Sequence, residues 1–196
     1  MTQGPRKIIV GITGASGSIY AQRLIDVLEG ADRRVEVIVS EPGRAVLGHE
    51  LGIKRLSPKE LLGRPSERVV VHSNSDLFNP LASGSHRTDG MVVCPCSTHS
   101  LSAIAQGQGD TLLFRAAYVS LKERRPLILV PREAPLTTID IENMLKVSRA
   151  GGIILPASPG FYNGPTSIDD LVDFVVGRIL DLLNVEHDLA IRWKDG

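Results

Sequence analysis

Short runs of aliphatic and β-branched residues recur along the chain, and segments with helical spacing lie between most of them. The pattern predicts six buried strands, at residues 7–12, 35–40, 67–72, 90–94, 126–130 and 153–155. It predicts helices at 19–28, 42–51, from about 100 onward, and at 112–122, 138–149 and 168–183. Strands that alternate with helices indicate an α/β fold, with a doubly wound, mainly parallel sheet in a Rossmann-like or flavodoxin-like order.

Length and charge limit the class of protein. A chain of 196 residues is expected to form one domain, with a short tail at 1–5 and a C-terminal arm at about 185–196. Lys and Arg together number 22, as do Asp and Glu, so no net field favours nucleic acid or an anionic membrane. No run of 18 apolar residues occurs, and the first residues do not resemble a signal peptide, which predicts a cytoplasmic protein.

Metal and thiol chemistry have little support in the sequence. Cys94 and Cys96 flank one proline, which is not a Cys-x-x-Cys pair, and no second pair completes a metal site. The five histidines do not occur at metal-ligand spacing. We therefore expect no metal and interpret both cysteines either as structural or as thiols that support neighbouring site residues without reacting themselves.

A glycine-rich turn follows the first predicted strand, with the spacing Gly11-x-x-Gly14-x-x-Gly17. Such a turn before a helix leaves backbone N–H groups available to an anion, usually phosphate. The spacing is neither the Gly-x-Gly-x-x-Gly dinucleotide fingerprint nor a P-loop. The alternative is a tight strand-to-helix turn in which Ser16 caps the helix.

Small, polar and aromatic residues follow the other predicted strands as well. Ser40 ends the second strand, 95–100 follow the fourth, Arg132 and Glu133 follow the fifth, and 156–162 follow the sixth. Because ligands of open α/β sheets bind at the carboxyl ends of the strands, these residues are predicted to meet at one ligand site.

Four segments resemble the UbiX-type flavin prenyltransferases, a family within the flavin-containing decarboxylase-like proteins. They are Gly11-Ile-Thr-Gly-Ala-Ser-Gly17, Cys94-Pro-Cys-Ser-Thr98, Leu121-Lys-Glu-Arg-Arg-Pro-Leu127 with Val130-Pro-Arg-Glu133, and Pro159-Gly-Phe-Tyr162. The resemblance covers nearly the whole chain and is weakest over 52–81. It implies that FMN is bound in reduced form and modified, with a dimethylallyl group from dimethylallyl monophosphate joined to N5 and C6 to give prenylated FMN.

The resemblance also assigns residues to this chemistry. The residues implied to hold FMN are Gly14, Ala15, Ser16, Ser40, Ser97, Thr98, His99, Ser100, Arg115 and Arg132. Those implied to meet the prenyl phosphate are Lys122, Arg132, Tyr162 and Arg178. Those implied to act in catalysis are Ser16, Glu50, Lys122, Arg132 and Glu133. Fixed cations suit a departing phosphate, and a glutamate beside it suits proton transfer.

Several of these residues also have a simpler interpretation. Arg178 is three residues from Asp181 on a predicted helix and would pair with it. Lys122 suits a helix end and Glu50 suits a solvated helix face. Leu77 precedes the Pro-x-Ala-Ser-Gly-Ser loop where some relatives carry tryptophan, which leaves the preferred prenyl donor open.

Three other functions stay open beside the prenyltransferase. They are an FMN-dependent cysteinyl decarboxylase, an NAD-dependent oxidoreductase and a non-enzymatic flavin-binding protein. Ser40 lies where a ribose-binding acid usually ends the second strand, which disfavours NAD. The resemblance further implies a homo-oligomer, expected to be a dodecamer with pockets completed across subunits, and a UbiD-type decarboxylase as recipient of the product.

Overall fold

The apolar runs of the sequence pair side by side, because valine and isoleucine bury well on both faces of a parallel sheet. In the computed structural model, which describes residues 6–189, every pair of neighbouring strands is parallel. The strands are β1 (Lys7–Ile12), β2 (Arg34–Val39), β3 (Val69–His72), β4 (Gly90–Cys96), β5 (Leu127–Pro131) and β6 (Ile153–Ile154). Their order, β3-β2-β1-β4-β5-β6, confirms the predicted parallel sheet and is the Rossmann order.

Helices cover both faces of this sheet. They are α1 (Ser18–Gly30), α2 (Glu41–Leu51), α3 (Pro58–Leu62), α4 (Thr98–Ala105), α5 (Leu112–Lys122), α6 (Thr138–Arg149) and α7 (Ile168–Leu182). One apolar cluster packs α1, α2, α3 and α7 against the sheet, and a second packs α4, α5 and α6. None of the helices in residues 6–189 has the length and apolar character needed to cross a bilayer.

Most element ends shift by one or two residues from the sequence prediction, and the differences at β4 and α3 are the ones that affect the fold. Strand β4 continues through Pro95 to Cys96, with a register shift against β5 between Val93 and Cys96, so the prediction that it ends at Cys94 is wrong. The short helix α3 was not predicted, although its N-cap Ser57 accepts a hydrogen bond from the N–H of Glu60. The polar loop at 73–88 contains one turn of 3₁₀ helix, Pro80–Ala82.

The two ends of the chain were expected to form a tail and an arm. Residues 1–5 and 190–196 lie outside the described residues. The first part of the expected arm is described: Val185 is 4% exposed and belongs to the cluster under α7.

The sheet places one crevice at its centre. The connection from β1 leads to β2 on one side, and the connection from β4 leads to β5 on the other. A parallel sheet opens a ligand crevice outside the carboxyl ends of the strands at such a switch point. The candidate site is therefore expected beyond the ends of β1 and β4.

Candidate active site

A cleft of about 390 Å³ lies at this position. Its lining residues are Gly14, Ser40, Glu41, Pro42, Asn74, Ser97, His99, Ser100, Thr111 and Phe114. Half of this lining was predicted from the sequence, in the turns after β1, β2 and β4. The predicted meeting is therefore present for these three turns, whereas Arg132, Glu133 and residues 156–162, also predicted to meet there, do not line the cleft.

Three helices begin at the cleft. Ser40 caps α2 by accepting from the N–H of Gly43 at 3.1 Å, and Ser97 caps α4 by accepting from the N–H of Ser100 at 3.2 Å. Thr111 caps α5 through a 3.4 Å hydrogen bond from the N–H of Phe114. Helix N-termini carry partial positive charge, so their meeting creates a favourable place for an anionic group. The cleft also offers the apolar faces of Pro42 and Phe114, which suits a ligand with a phosphate and a flat ring.

Gly14 lets the turn after β1 approach α2. A Cβ at this position would lie 2.6 Å from Cβ of Pro42, closer than side-chain carbons approach in proteins. Any larger residue would push α2 away and change the shape of the cleft. Ala15, the next residue, is buried, at 6% exposed.

A buried hydroxyl joins the turns that follow β1 and β4. The Thr13 side chain donates to the carbonyl of Pro95 and accepts from the N–H of Ser97, both at 2.8 Å. Thr13 is fully buried, so the two bonds form away from water. This residue fixes the cap Ser97 relative to the glycine-rich turn, and sequence reasoning did not identify it.

The start of α1 is not an open anion site. The carboxylate of Glu50 accepts hydrogen bonds from the backbone N–H groups of Gly17 and Ser18, at 3.1 and 2.8 Å. The N-cap is Gly17, at φ 106°, and no side chain caps the helix from that position. Both earlier interpretations of this helix start, a free phosphate site and a Ser16 cap, are therefore corrected: the anion is a side chain of α2.

Glu50 is held as a carboxylate by this arrangement. Burial raises the pKa of Glu50, but hydrogen bonds from the Ser16 hydroxyl and from the backbone of Ser18 and Gly17 outweigh it. The pKa therefore lies below the ordinary glutamate value. At neutral pH Glu50 is a proton acceptor, next to the Ser16 hydroxyl.

Arg132 reaches the same turn from the end of β5. Its Nε donates to the carbonyl of Ser16 at 3.3 Å, and its backbone N–H donates to Cys96 at 3.4 Å. Glu133 follows, is exposed, and accepts a 3.1 Å hydrogen bond from the N–H of Ala134. Ser16 thus lies between the carboxylate of Glu50 and the guanidinium of Arg132.

Lys122 lies far from this group within one chain. Helix α5 starts at the cleft and runs for 11 residues to Lys122, a length of roughly 16 Å at about 1.5 Å per residue. Lys122 is paired with Glu123. The nearby Arg125 donates to the carbonyls of Gly84 and His86, which shortly precede β4, so this end of α5 lies at the amino edge of the sheet.

Tyr162 packs against α7, the helix that carries Arg178. The Tyr162 ring packs edge-on against Phe174, with centroids 5.9 Å apart, and Arg178 follows Phe174 by one helical turn. Arg178 donates to Asp181 at 2.8 Å, so the pairing expected from their spacing is confirmed. Within one chain, the residues implied to meet the prenyl phosphate are divided among three places: Arg132, the end of α5, and α7.

Half of the ten residues implied to hold FMN do not line the cleft. They are Ala15, Ser16, Thr98, Arg115 and Arg132, of which Ala15, Ser16 and Arg132 lie in or against the neighbouring glycine-rich turn. Thr98 is the first residue of α4 and is half-buried beside its cap. Arg115 is exposed on α5, where its guanidinium lies against Gly109.

Asn74 is a cleft residue that sequence reasoning missed. Its backbone carbonyl accepts from the N–H of Leu112 at 2.8 Å, and its Oδ1 accepts from the N–H of Leu113 at 3.0 Å. With Oδ1 engaged, the amide Nδ2 is the group it offers to a ligand. Only a weak indication of this role for Asn74 was present in the sequence. A helix was predicted to start near residue 112, and the N–H groups at its start needed acceptors.

The two cysteines lie beneath the cleft and are chemically protected. Cys94 is fully buried and Cys96 is 1% exposed. Burial raises the pKa of both thiols, that of Cys96 to about 12. Because the thiolate is the reactive form, neither is a nucleophile at neutral pH.

Comparisons with known proteins identify the family of this chain. The flavoprotein family matches residues 1–180. The flavin prenyltransferase UbiX of Pseudomonas aeruginosa is 45% identical over 98% of this chain and 96% of its own. This chain belongs to the UbiX-type flavin prenyltransferases. The resemblance inferred from the four motifs is therefore confirmed.

Solved structures of the family show the same fold. A crystal structure of AnUbiX (PadA1) in complex with FMN and dimethylallyl pyrophosphate has a TM-score of 0.89 and 38% identity, covering 98% of this chain and 99% of that one. A dodecameric FMN-dependent UbiX-like decarboxylase from Escherichia coli O157:H7 has a TM-score of 0.87 and 40% identity, covering 96% and 99%.

Proposed function

We propose that this protein transfers the dimethylallyl group of dimethylallyl monophosphate to reduced FMN, joining it at N5 and C6. Reduced FMN supplies the electron-rich N5 and C6 positions to which the group becomes attached. The observation that carries the proposal is the cleft at the switch point. There the N-termini of α2, α4 and α5 meet, with Ser16, Glu50 and Arg132 next to the glycine-rich turn.

Binding of FMN would use the cleft lining. The capped N-termini at Ser40, Ser97 and Thr111 favour the FMN phosphate, and Phe114 and Asn74 offer a ring face and an amide donor. Gly14 and Ala15 provide the close backbone approach that a flat ring needs. We assign Thr98, His99 and Ser100 to the same side of the ligand, at the start of α4.

The prenyl phosphate would meet Arg132 at the mouth of this cleft. As the carbon–oxygen bond breaks, negative charge grows on the departing phosphate, and a fixed guanidinium stabilises it. Lys122, Tyr162 and Arg178 would complete this pocket from neighbouring subunits, since Lys122 lies at the opposite edge of the sheet in its own chain. The dodecameric relative supports a homo-oligomer, and we propose the same assembly here, with Arg115 at a subunit boundary.

The two glutamates would divide the proton transfers. Glu50 is ionised and accepts a hydrogen bond from Ser16, so it suits removal of a proton during formation of the new ring. Glu133 is beside Arg132 and exposed, so it suits transfer of a proton to the departing phosphate. Both proposed proton carriers thus belong to the group of side chains around Ser16 and Arg132.

The proposal also names the prenyl donor and the protein that receives the product. AnUbiX was crystallised with dimethylallyl pyrophosphate, whereas the monophosphate is the donor implied by the motifs. A UbiD-type decarboxylase in the cytoplasm would take up the prenylated FMN.

Phosphate release tests the proposed function. Anaerobic incubation with reduced FMN and dimethylallyl monophosphate is expected to release one phosphate for each flavin consumed. Omission of either substrate is the control. A flavin-binding protein without catalysis would release none, and a cysteinyl decarboxylase would instead release carbon dioxide from a cysteine-terminated peptide.

A further inference from the structure

Arg178, Asp181 and His187 form a continuous chain of contacts on the outer side of α7. The Arg178 guanidinium donates from Nη1 to Oδ2 of Asp181 at 2.8 Å. The imidazole Nε2 of His187 lies 3.2 Å from the other carboxylate oxygen, Oδ1. Asp181 therefore bridges an exposed cation and a histidine from the segment that follows the helix.

The contact with Asp181 leaves one edge of Arg178 available. Only Nη1 is engaged, and the edge formed by Nε and Nη2 has no partner among residues 6–189. The Arg178 side chain as a whole is 57% exposed. A guanidinium edge with two parallel N–H groups is the geometry that grips a phosphate with two hydrogen bonds.

His187, at the other end of this set of contacts, is held in place by burial. Its side chain is 2% exposed, and because an ionised carboxylate can only accept, Nε2 carries the proton in this contact. Its Nδ1 is buried and has no hydrogen-bond partner among residues 6–189, so the contact with Asp181 is the hydrogen bond that its ring makes there. The buried imidazole therefore holds Oδ1 from within the fold, while Oδ2 faces Arg178.

We propose that Asp181 is a positioning residue for the prenyl-phosphate site, and that His187 anchors it. Asp181 orients the guanidinium of Arg178 so that its Nε–Nη2 edge is presented to the phosphate before the donor binds. This inference rests on the proposed function, in which Arg178 meets the prenyl phosphate. It adds two residues that contact neither substrate and act through Arg178.

Steady-state kinetics of Asp181→Asn test this proposal. The KM for dimethylallyl monophosphate is expected to rise on the order of 10-fold, the size of one lost charge-assisted hydrogen bond, while kcat changes less than about 2-fold. The Kd for FMN should stay at the wild-type value. Asp169→Asn is the matched control, because it removes the same charge from an exposed position in the first turn of the same helix.

A double-mutant cycle separates positioning from a general structural effect. If Asp181 acts through Arg178, then Asp181→Asn should raise the KM no further in an Arg178→Ala background. His187→Gln keeps a donor near the position of Nε2 and should retain a lower KM than His187→Leu, a comparison that remains available if Asp181→Asn does not fold.

The outcomes distinguish this proposal from the function on which it rests. Wild-type protein that releases no phosphate contradicts the prenyltransferase itself. If the wild type is active, the positioning role is overturned by either of two results. One is a KM for dimethylallyl monophosphate that is unchanged or lower in Asp181→Asn. The other is an increase in KM that is equally large in the wild-type and Arg178→Ala backgrounds.

Discussion

The carboxylate of Glu50 accepts a hydrogen bond from the backbone N–H of Ser18 at 2.8 Å. A side chain from the end of α2 thereby fills the anion position at the start of α1. This contact brings a carboxylate to the turn that contains Ser16, whose carbonyl accepts a hydrogen bond from Arg132. In the proposed function, the FMN phosphate is therefore assigned to the three helix N-termini that line the cleft.

The state of Glu50 predicts how stability depends on pH. Its pKa is lowered in the folded protein, so the stabilisation it gives is fully present above about 4.5, the ordinary value, and is lost as the pH falls through the lower folded value. The difference in unfolding free energy between wild type and Glu50→Gln should be largest at neutral pH and shrink in acid. Chemical denaturation at several pH values measures it, and a difference that grows in acid would contradict the assignment.

Gly14 is predicted to be required for FMN binding. In Gly14→Ala the added Cβ meets Pro42 at 2.6 Å, so α2 must move and the cleft must change. We expect FMN binding to weaken by roughly 10-fold or more, in line with the cost of overpacking. Fluorescence titration of FMN measures the Kd. Gly30→Ala is the control, because nothing lies within 4 Å of its added Cβ; equal losses in both variants would exclude the cleft as the reason.

Glu133 is predicted to carry a proton in the transfer step. Glu133→Gln keeps the shape of the side chain but not its proton-transfer capacity. FMN binding should stay nearly intact while prenyl transfer slows by roughly 10²–10⁴-fold. Single-turnover absorbance on mixing reduced, FMN-loaded enzyme with the donor reports the step. A wild-type rate in this variant would make Glu50 the leading proton carrier.

Arg132 is predicted to affect both binding and rate. Its removal in Arg132→Ala deletes a cation beside the departing phosphate, so the KM for the donor should rise and the transfer rate should fall. The same single-turnover assay, run over a range of donor concentrations, separates the two effects. A variant with an altered rate and an unchanged KM would place the phosphate elsewhere.

Shared sites between subunits can be tested by complementation. Lys122 lies at the amino edge of its own sheet, so in the proposed pocket it comes from a neighbour of the chain that provides Glu133. Lys122→Ala and Glu133→Gln should each be nearly inactive, and random mixing in one oligomer should restore about a quarter of the sites. Activity of co-expressed variants measures this. Mixed oligomers no more active than their parents would show that both residues serve one site from one chain.

Much of the fold follows from local patterns. Strand β1 and helices α5 and α6 have the predicted bounds, because apolar period and capping residues such as Thr137 fix them locally. Pro95 misled the prediction of β4, since a proline was expected to end a strand. The chain continues there because Thr13 binds the Pro95 carbonyl and β5 pairs with Cys96.

The part of the site that lies directly after the strands was predicted from the sequence. The rule for parallel sheets placed Gly14, Ser40 and Ser97 together. It did not place Asn74, which reaches the cleft through a hydrogen bond to the start of α5, a helix that follows another helix and not a strand. Nor did it show that Glu50 fills the start of α1, since that contact depends on how α2 packs.

Mass spectrometry of the flavin gives the most direct test of the proposed function. Reduced FMN and dimethylallyl monophosphate, unlabelled or deuterated in the prenyl group, are incubated anaerobically with the protein, and the flavin is extracted after acid quenching. The predicted product is heavier than FMN by one dimethylallyl unit, with the label retained and with the amount reduced in Glu133→Gln. Recovery of only unmodified FMN from the wild-type reaction, under conditions in which both substrates are bound, would contradict the proposal.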